Sequence, residues 1–244
     1  MKRFLIIIIG LLVFCTNAMP QNIYVVAVGV SNYQYANSLV LPAQDAKDVV
    51  AFYRQKTNNV ITITSKYATK ATIIKCLKDQ FSRATINDMV VFYFSGHGYK
   101  GGLCPYEAKS GSPNSMLPYS EIQEIFRNCK ARRKIVFADA CHSGGLKGTY
   151  STISRNDFEI LLFLACREEE YSEEHEEYMK NGIFTTFLLR GLRGNADANG
   201  YGNGDGKVTA KELFNYVSKN VIFSSIDRQH PVMRGRFDDN MILN

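Results

Sequence analysis

The sequence predicts an α/β fold, a mainly parallel sheet with helices on both faces. Two observations lead to it. Short apolar runs alternate along the chain with segments whose apolar residues recur at helical spacing, the order that parallel strands and crossover helices produce. The runs are also apolar at successive positions, as befits strands covered on both faces.

Taken in order, Ile23 to Val30 is the first strand, and Ala46, Val49, Val50 and Tyr53 share one helix face. Val60 to Thr64 is short and β-branched, hence a strand. Ile73, Ile74, Leu77 and Phe81 mark a second helix, with Thr69 placed to cap it. Met89 to Phe94 is a third strand, followed by a helix through Ile122, Ile125, Phe126 and Cys129. Ile135 to Ala138 and Ile160 to Ala165 are the next two strands. Phe184, Phe187, Leu188 and Leu192 form a fourth helix, and Thr209-Ala210-Lys211-Glu212 has the spacing of a capping box that opens a fifth.

The chain of 244 residues begins with Lys2-Arg3, an apolar run from Phe4 to Phe14 and the small-residue stretch Thr16-Asn17-Ala18. That is the pattern of an export signal cleaved after Ala18. The run is too short for a bilayer span, which takes about 20 residues, and bulky Phe14 before Cys15 argues against a lipid anchor. The expected organisation is a signal peptide over 1–18, one domain over 19–244 and an exported, periplasmic or secreted, product with no membrane span left. Loss of Lys2 and Arg3 takes the formal charge from +6 to +4. The densest basic cluster, Arg132-Arg133-Lys134, leads straight into a strand and reads as its solvated start, so no nucleic-acid partner is expected. Of the six cysteines, Cys15 leaves with the signal; the five that remain must include a free thiol, and none has zinc-site spacing. Cys76, Cys129 and Cys166 fall in apolar patterns and read as core.

Chemistry collects where two strands end. The third runs into Ser95-Gly96-His97-Gly98, the fourth into Asp139-Ala140-Cys141-His142-Ser143-Gly144-Gly145. If these strands are parallel neighbours, His97 and Cys141 leave the same sheet edge, where such folds place their sites, on strands about 4.8 Å apart. An imidazole beside a thiol can take its proton and later protonate a leaving amine. Gly98 leaves a backbone N–H open to substrate, and with the N–H of Cys141 it can form an oxyanion hole. Ser143 reads as a turn residue, since no Gly-x-Ser-x-Gly elbow is present.

These two motifs resemble the catalytic motifs of the caspase-like peptidases, in particular the metacaspase and bacterial caspase-like branch. The histidine of that family lies about 50 residues before the cysteine; here the separation is 44. The resemblance extends to Leu41 through Asp45, to Gly182-Ile183-Phe184-Thr185 and to Gln229-His230-Pro231-Val232. It implies a caspase–haemoglobinase fold and a thiol endopeptidase using His97 and Cys141, with His142 standing outside the dyad. It further implies that Asp45 and Asp139 floor a primary specificity pocket for Lys or Arg, where animal caspases carry Gln at the position of Asp139. Polypeptides are the expected partners, and the chemistry needs no cofactor. Calcium as an activator enters at two places. Asp197 to Val208, rich in Asp, Asn and Gly, reads either as an offset calcium loop with Asn203, Asp205 and Glu212 as ligands or as a solvated turn. The acidic stretch Glu168 to Glu177 reads either as a solvated loop or, by its location in the family, as calcium-responsive. Caspase-like enzymes are often cut between the cysteine loop and the next strand, here Leu146 to Asp157, so self-cleavage after Lys147 or Arg155 is a further expectation. Two other readings fit the same residues: a clostripain- or gingipain-like peptidase of the same clan, and a peptidase-like binding module without turnover.

Overall fold

A computed structural model describes residues 20–141, 143–146, 158–174, 179–198 and 200–244. The expected signal over 1–18, His142, Lys147, Arg155, Asn199, Glu176 and Glu177 lie outside them. A six-stranded sheet runs β2-β1-β3-β7-β8-β9, built from β1 (Ile23–Gly29), β2 (Val60–Thr64), β3 (Met89–Ser95), β7 (Arg133–Asp139), β8 (Glu159–Leu164) and β9 (Val232–Arg236). All pairings are parallel except β8 with β9. This is the predicted α/β architecture.

Successive side chains of a strand point to opposite faces, and the core divides accordingly. Tyr24, Val26 and Val28 of β1 pack with α2 (Lys70–Phe81) and α3 (Tyr119–Asn128). Val25 and Ala27 pack with α1 (Pro42–Tyr53), α4 (Ile183–Arg190) and α5 (Ala210–Ser224). Thr69 caps α2 by accepting from the N–H of Thr72, and Thr209 with Glu212 forms the full capping box of α5. Helix α1 starts earlier than its apolar spacing suggests, because Pro42 suits a first helical position. Among the described residues no helix is long and apolar enough to cross a membrane.

Four features depart from the sequence expectations. A small three-stranded sheet joins β4 (Gly98–Tyr99), β5 (Gly102–Leu103) and β6 (Leu117–Pro118) beside the histidine loop. Strand β9 closes the sheet as an antiparallel edge. The basic cluster is not a solvated strand start: Arg133 and Lys134 are buried. Arg133 lies 3.5 Å from the Glu159 carboxylate, and Lys134 places its ammonium 4.1 Å from the centre of the Phe158 ring. The strand of the neighbouring β8 covers what the basic composition would have left in water. Cys129 and Cys166 are buried as expected, whereas Cys76 is half-exposed on α2.

Candidate active site

Strands β3 and β7 are adjacent and parallel, with Ser95 opposite Asp139 at their carboxyl ends. His97 and Cys141 therefore each lie two residues beyond a shared register point. The Gly96 N–H donates to the Asp139 carbonyl at 3.1 Å, tying the two loops together. At Gly98 a Cβ would lie 2.0 Å from the Cys141 carbonyl oxygen, so only glycine permits this approach. One cleft of about 90 Å³ at this edge is lined by His97, Cys141, Asp45 and Asp139 together, with Ser172 and Glu174 at its side.

His97 is held from three directions. Its N–H donates to the Tyr33 hydroxyl at 2.6 Å, and the two rings lie 4.7 Å apart. Its Nε2 is 2.9 Å from the Asn37 carbonyl. A carbonyl only accepts, so this bond places a proton on Nε2 and leaves Nδ1 as the basic nitrogen. Burial pushes the Cys141 thiol up, the Ser172 backbone N–H opposes that, and Asp139 and Glu174 add to the rise. Burial thus favours the protonated thiol, and a thiolate here needs a base to take its proton.

The two aspartates are buried and face the same glycine. A Cβ on Gly182 would sit 2.8 Å from Asp139 Oδ2 and 3.4 Å from Asp45 Oδ2. Asp45 does not cap α1. Its Oδ2 accepts from Ser95 Oγ at 2.9 Å, and its Oδ1 accepts from Asn181 Nδ2 at 2.9 Å and the Gly182 N–H at 3.1 Å. Asp139 accepts from the Ser172 hydroxyl on Oδ1 and from the N–H and hydroxyl of Thr185 on Oδ2, at 3.2 and 2.6 Å. Burial, reinforced by Asp139, pushes Asp45 from 3.8 up to about 8. Burial also raises Asp139 against its three donors. Among the described residues no lysine or arginine pairs with either carboxylate.

Three described residues of the acidic stretch are tied into the fold. Glu170 binds His230 through its backbone N–H and ring, both at 2.9 Å. Glu173 pairs with Arg228 at 3.1 Å, and Glu174 accepts the N–H groups of Val40 and Leu41 ahead of α1. In the Asp/Gly loop, Asp197 accepts from the N–H groups of Gly204, Asp205 and Gly206, while Glu212 accepts from Asn203 and Thr209. These oxygens organise the turn ahead of α5. Ser143 is a buried turn residue, as expected, with its hydroxyl accepting from the Cys166 N–H at 3.4 Å. Sequence reasoning missed Tyr33, Asn37, Ser172 and Thr185. Only Thr185 carried a signal, standing in the Gly182-Ile183-Phe184-Thr185 segment.

Comparisons with known proteins agree with this fold. The family model described as the caspase domain matches residues 23–241. A probable protease from a Desulfuromonadales bacterium is 26% identical over 177 residues, which cover 64% of this chain and 22% of that protein. The similarity thus spans about a fifth of that relative's length. The crystal structure of protein GSU0716 from Geobacter sulfurreducens superposes with a TM-score of 0.66 over 91% of this chain and 97% of that one, at 18% identity, a likeness of fold.

Proposed function

We propose, from the premise that the chain belongs to the caspase domain family and is a cysteine peptidase, that it is an exported endopeptidase cleaving after Arg or Lys with His97 and Cys141. The observation that carries the specificity is the pair of buried carboxylates, Asp45 and Asp139, in the cleft that also holds His97 and Cys141. A cation placed there gains two charged acceptors, and a substrate carboxylate is repelled. Export rests on the leader from Phe4 to Phe14.

In this mechanism Nδ1 of His97 takes the thiol proton and the Cys141 sulfur attacks the scissile carbonyl. The N–H groups of Gly98 and Cys141 donate to the oxyanion, an effect of about 10²–10³ in rate per donor. His97 returns the proton to the leaving amine, and water, deprotonated by the same nitrogen, releases the acid from the thioester. The bond of Nε2 to the Asn37 carbonyl keeps the ring in the tautomer this needs. The test is a pair of fluorogenic peptides ending in Arg and in Asp, with the Arg peptide the better substrate; preferential cleavage after Asp would end this reading.

The raised Asp45 makes a pH dependence with a definite sign. Below about pH 8 the free enzyme keeps a proton on Asp45, whereas a bound cation favours the ionised carboxyl. Binding therefore expels that proton, and kcat/KM for an Arg peptide should rise from pH 6 to 8 by up to about tenfold per pH unit. Thiolate formation at Cys141 has the same sign, so it is measured separately as alkylation by iodoacetamide, which does not use the pocket. The Arg-peptide profile of wild type should rise more steeply than the alkylation profile, and in Asp45→Asn the two should coincide. Identical profiles in wild type would refute the linkage.

A further inference from the structure

Gln229 lies outside the cleft, yet its side chain ties the segment that carries Ser172 of the cleft wall to the end of β8. It is fully buried, at 0% exposure. Its Nε2 donates to the Ala165 carbonyl just past β8 at 3.0 Å and to the Ser172 hydroxyl at 3.3 Å. Its Oε1 accepts the Glu173 N–H at 3.1 Å, and its own N–H donates to Ser225 Oγ at 3.0 Å. We propose that Gln229 is a positioning residue for recognition of the substrate's cation, holding the segment 170–174 so that Ser172 orders the Asp139 carboxylate.

The direction of the hydrogen bonds gives the argument. The Ser172 hydroxyl has one proton, and it goes to Asp139 Oδ1; toward Gln229 the same oxygen can only accept. An oxygen that accepts from an amide becomes a better donor. The chain Gln229 to Ser172 to Asp139 therefore has one sense, and the amide at its head fixes which way the hydroxyl points. Asp139 is thereby held from both sides, by Ser172 on Oδ1 and Thr185 on Oδ2. The second grip of Gln229, on the Glu173 N–H, fixes the backbone on the far side of Ser172. At the same length, glutamate lacks both donors, and methionine lacks the donors and offers only a weakly accepting sulfur. A buried amide with its donors and acceptor all used costs little to keep, and removing it takes away the bonds it supplies to the Ala165 carbonyl and the Glu173 N–H.

This inference rests on Asp139 binding the substrate's cation, and the test separates the two. Peptides ending in Arg and in citrulline, its neutral isostere, are compared on the mature full-length protein. A wild-type preference for Arg tests the specificity reading. Gln229→Met should then raise KM for the Arg peptide about tenfold, with kcat changed less than about threefold and the Arg/citrulline ratio reduced. Alkylation of Cys141 by iodoacetamide should stay within about twofold of wild type, which a general loss of fold would not allow. Ser172→Ala should lower the same ratio, and adding Gln229→Glu to it should cause little further loss, because the two act in one chain. If Gln229→Met does not fold, Gln229→Glu and Ser172→Ala carry the measurement. A wild type that prefers Arg while folded Gln229 variants keep KM and the Arg/citrulline ratio would overturn the inference.

Discussion

Cys141→Ala should reduce peptidase turnover by about 10⁴-fold or more, the scale seen when a covalent nucleophile is removed from a protease. His97→Ala should cost about 10²–10⁴-fold, the usual share of a positioned acid–base group. The two losses should not add, because each residue acts only through the other: without the imidazole the sulfur stays a thiol, which burial already favours, and without the sulfur the imidazole has nothing to activate. The double variant should therefore match Cys141→Ala. His97→Ala also separates proton transfer from loop structure. The backbone N–H of residue 97 can still donate to Tyr33, so the loop keeps its anchor while the ring's contact with the Asn37 carbonyl is gone. Raising the pH should recover part of the His97→Ala loss, as hydroxide supplies the thiolate. A thiol electrophile on a peptide scaffold should label wild type at Cys141 alone among the five cysteines of the described residues. Full activity in Cys141→Ala would sink the assignment, and stoichiometric labelling without turnover would favour a binding module.

The parts of this site that could be read from the sequence are those written in short, local patterns. Strands β3 and β7 were legible because both are apolar at successive positions, and parallel packing then brings Gly96-His97-Gly98 and Asp139-Ala140-Cys141 to one edge. The helices with Thr69 and Thr209 were legible from caps that involve neighbours three residues apart. The strands of the small sheet were not, since two residues carry no period. Strand β9 was missed because Val232 to Arg236 holds two arginines and a glycine at positive φ, as an edge strand can. The buried state of Arg133 and Lys134 was misread because burial there depends on Glu159 and Phe158, more than twenty residues on. Ser172 and Gln229 were hidden for the same reason: their hydrogen bond joins loops 57 residues apart and leaves no spacing to detect.

Asp139→Asn should lower kcat/KM for an Arg peptide by about 30-fold to several thousandfold, the range for removing one charge from a buried, hydrogen-bonded pair. The citrulline peptide, which has no charge to match, should lose far less. The predicted contrast follows from where Asp139 stands. It is buried, faces Gly182 opposite Asp45, and has both oxygens ordered by Ser172 and Thr185 rather than by a lysine or arginine among the described residues. Two carboxylates held this close in a buried site resist being ionised together, and burial raises both. The stability sign follows. A carboxyl whose folded-state pKa lies above its ordinary value stabilises the fold fully at low pH and loses that contribution as pH rises through the folded value, about 8 for Asp45. Wild type should therefore lose thermal stability between pH 5 and 8.5, and Asp139→Asn, with one fewer charge to create, should lose less. Activity would fall while stability at pH 8 rises, a combination that damage to the fold cannot produce. The asparagine must turn its amide NH₂ away from Thr185, whose N–H and hydroxyl both need an acceptor, and it gives up the hydrogen bond from Ser172, whose hydroxyl Gln229 keeps pointed at residue 139. If Asp139→Asn folds and keeps the wild-type Arg/citrulline ratio, Asp139 has no part in selecting the substrate's cation.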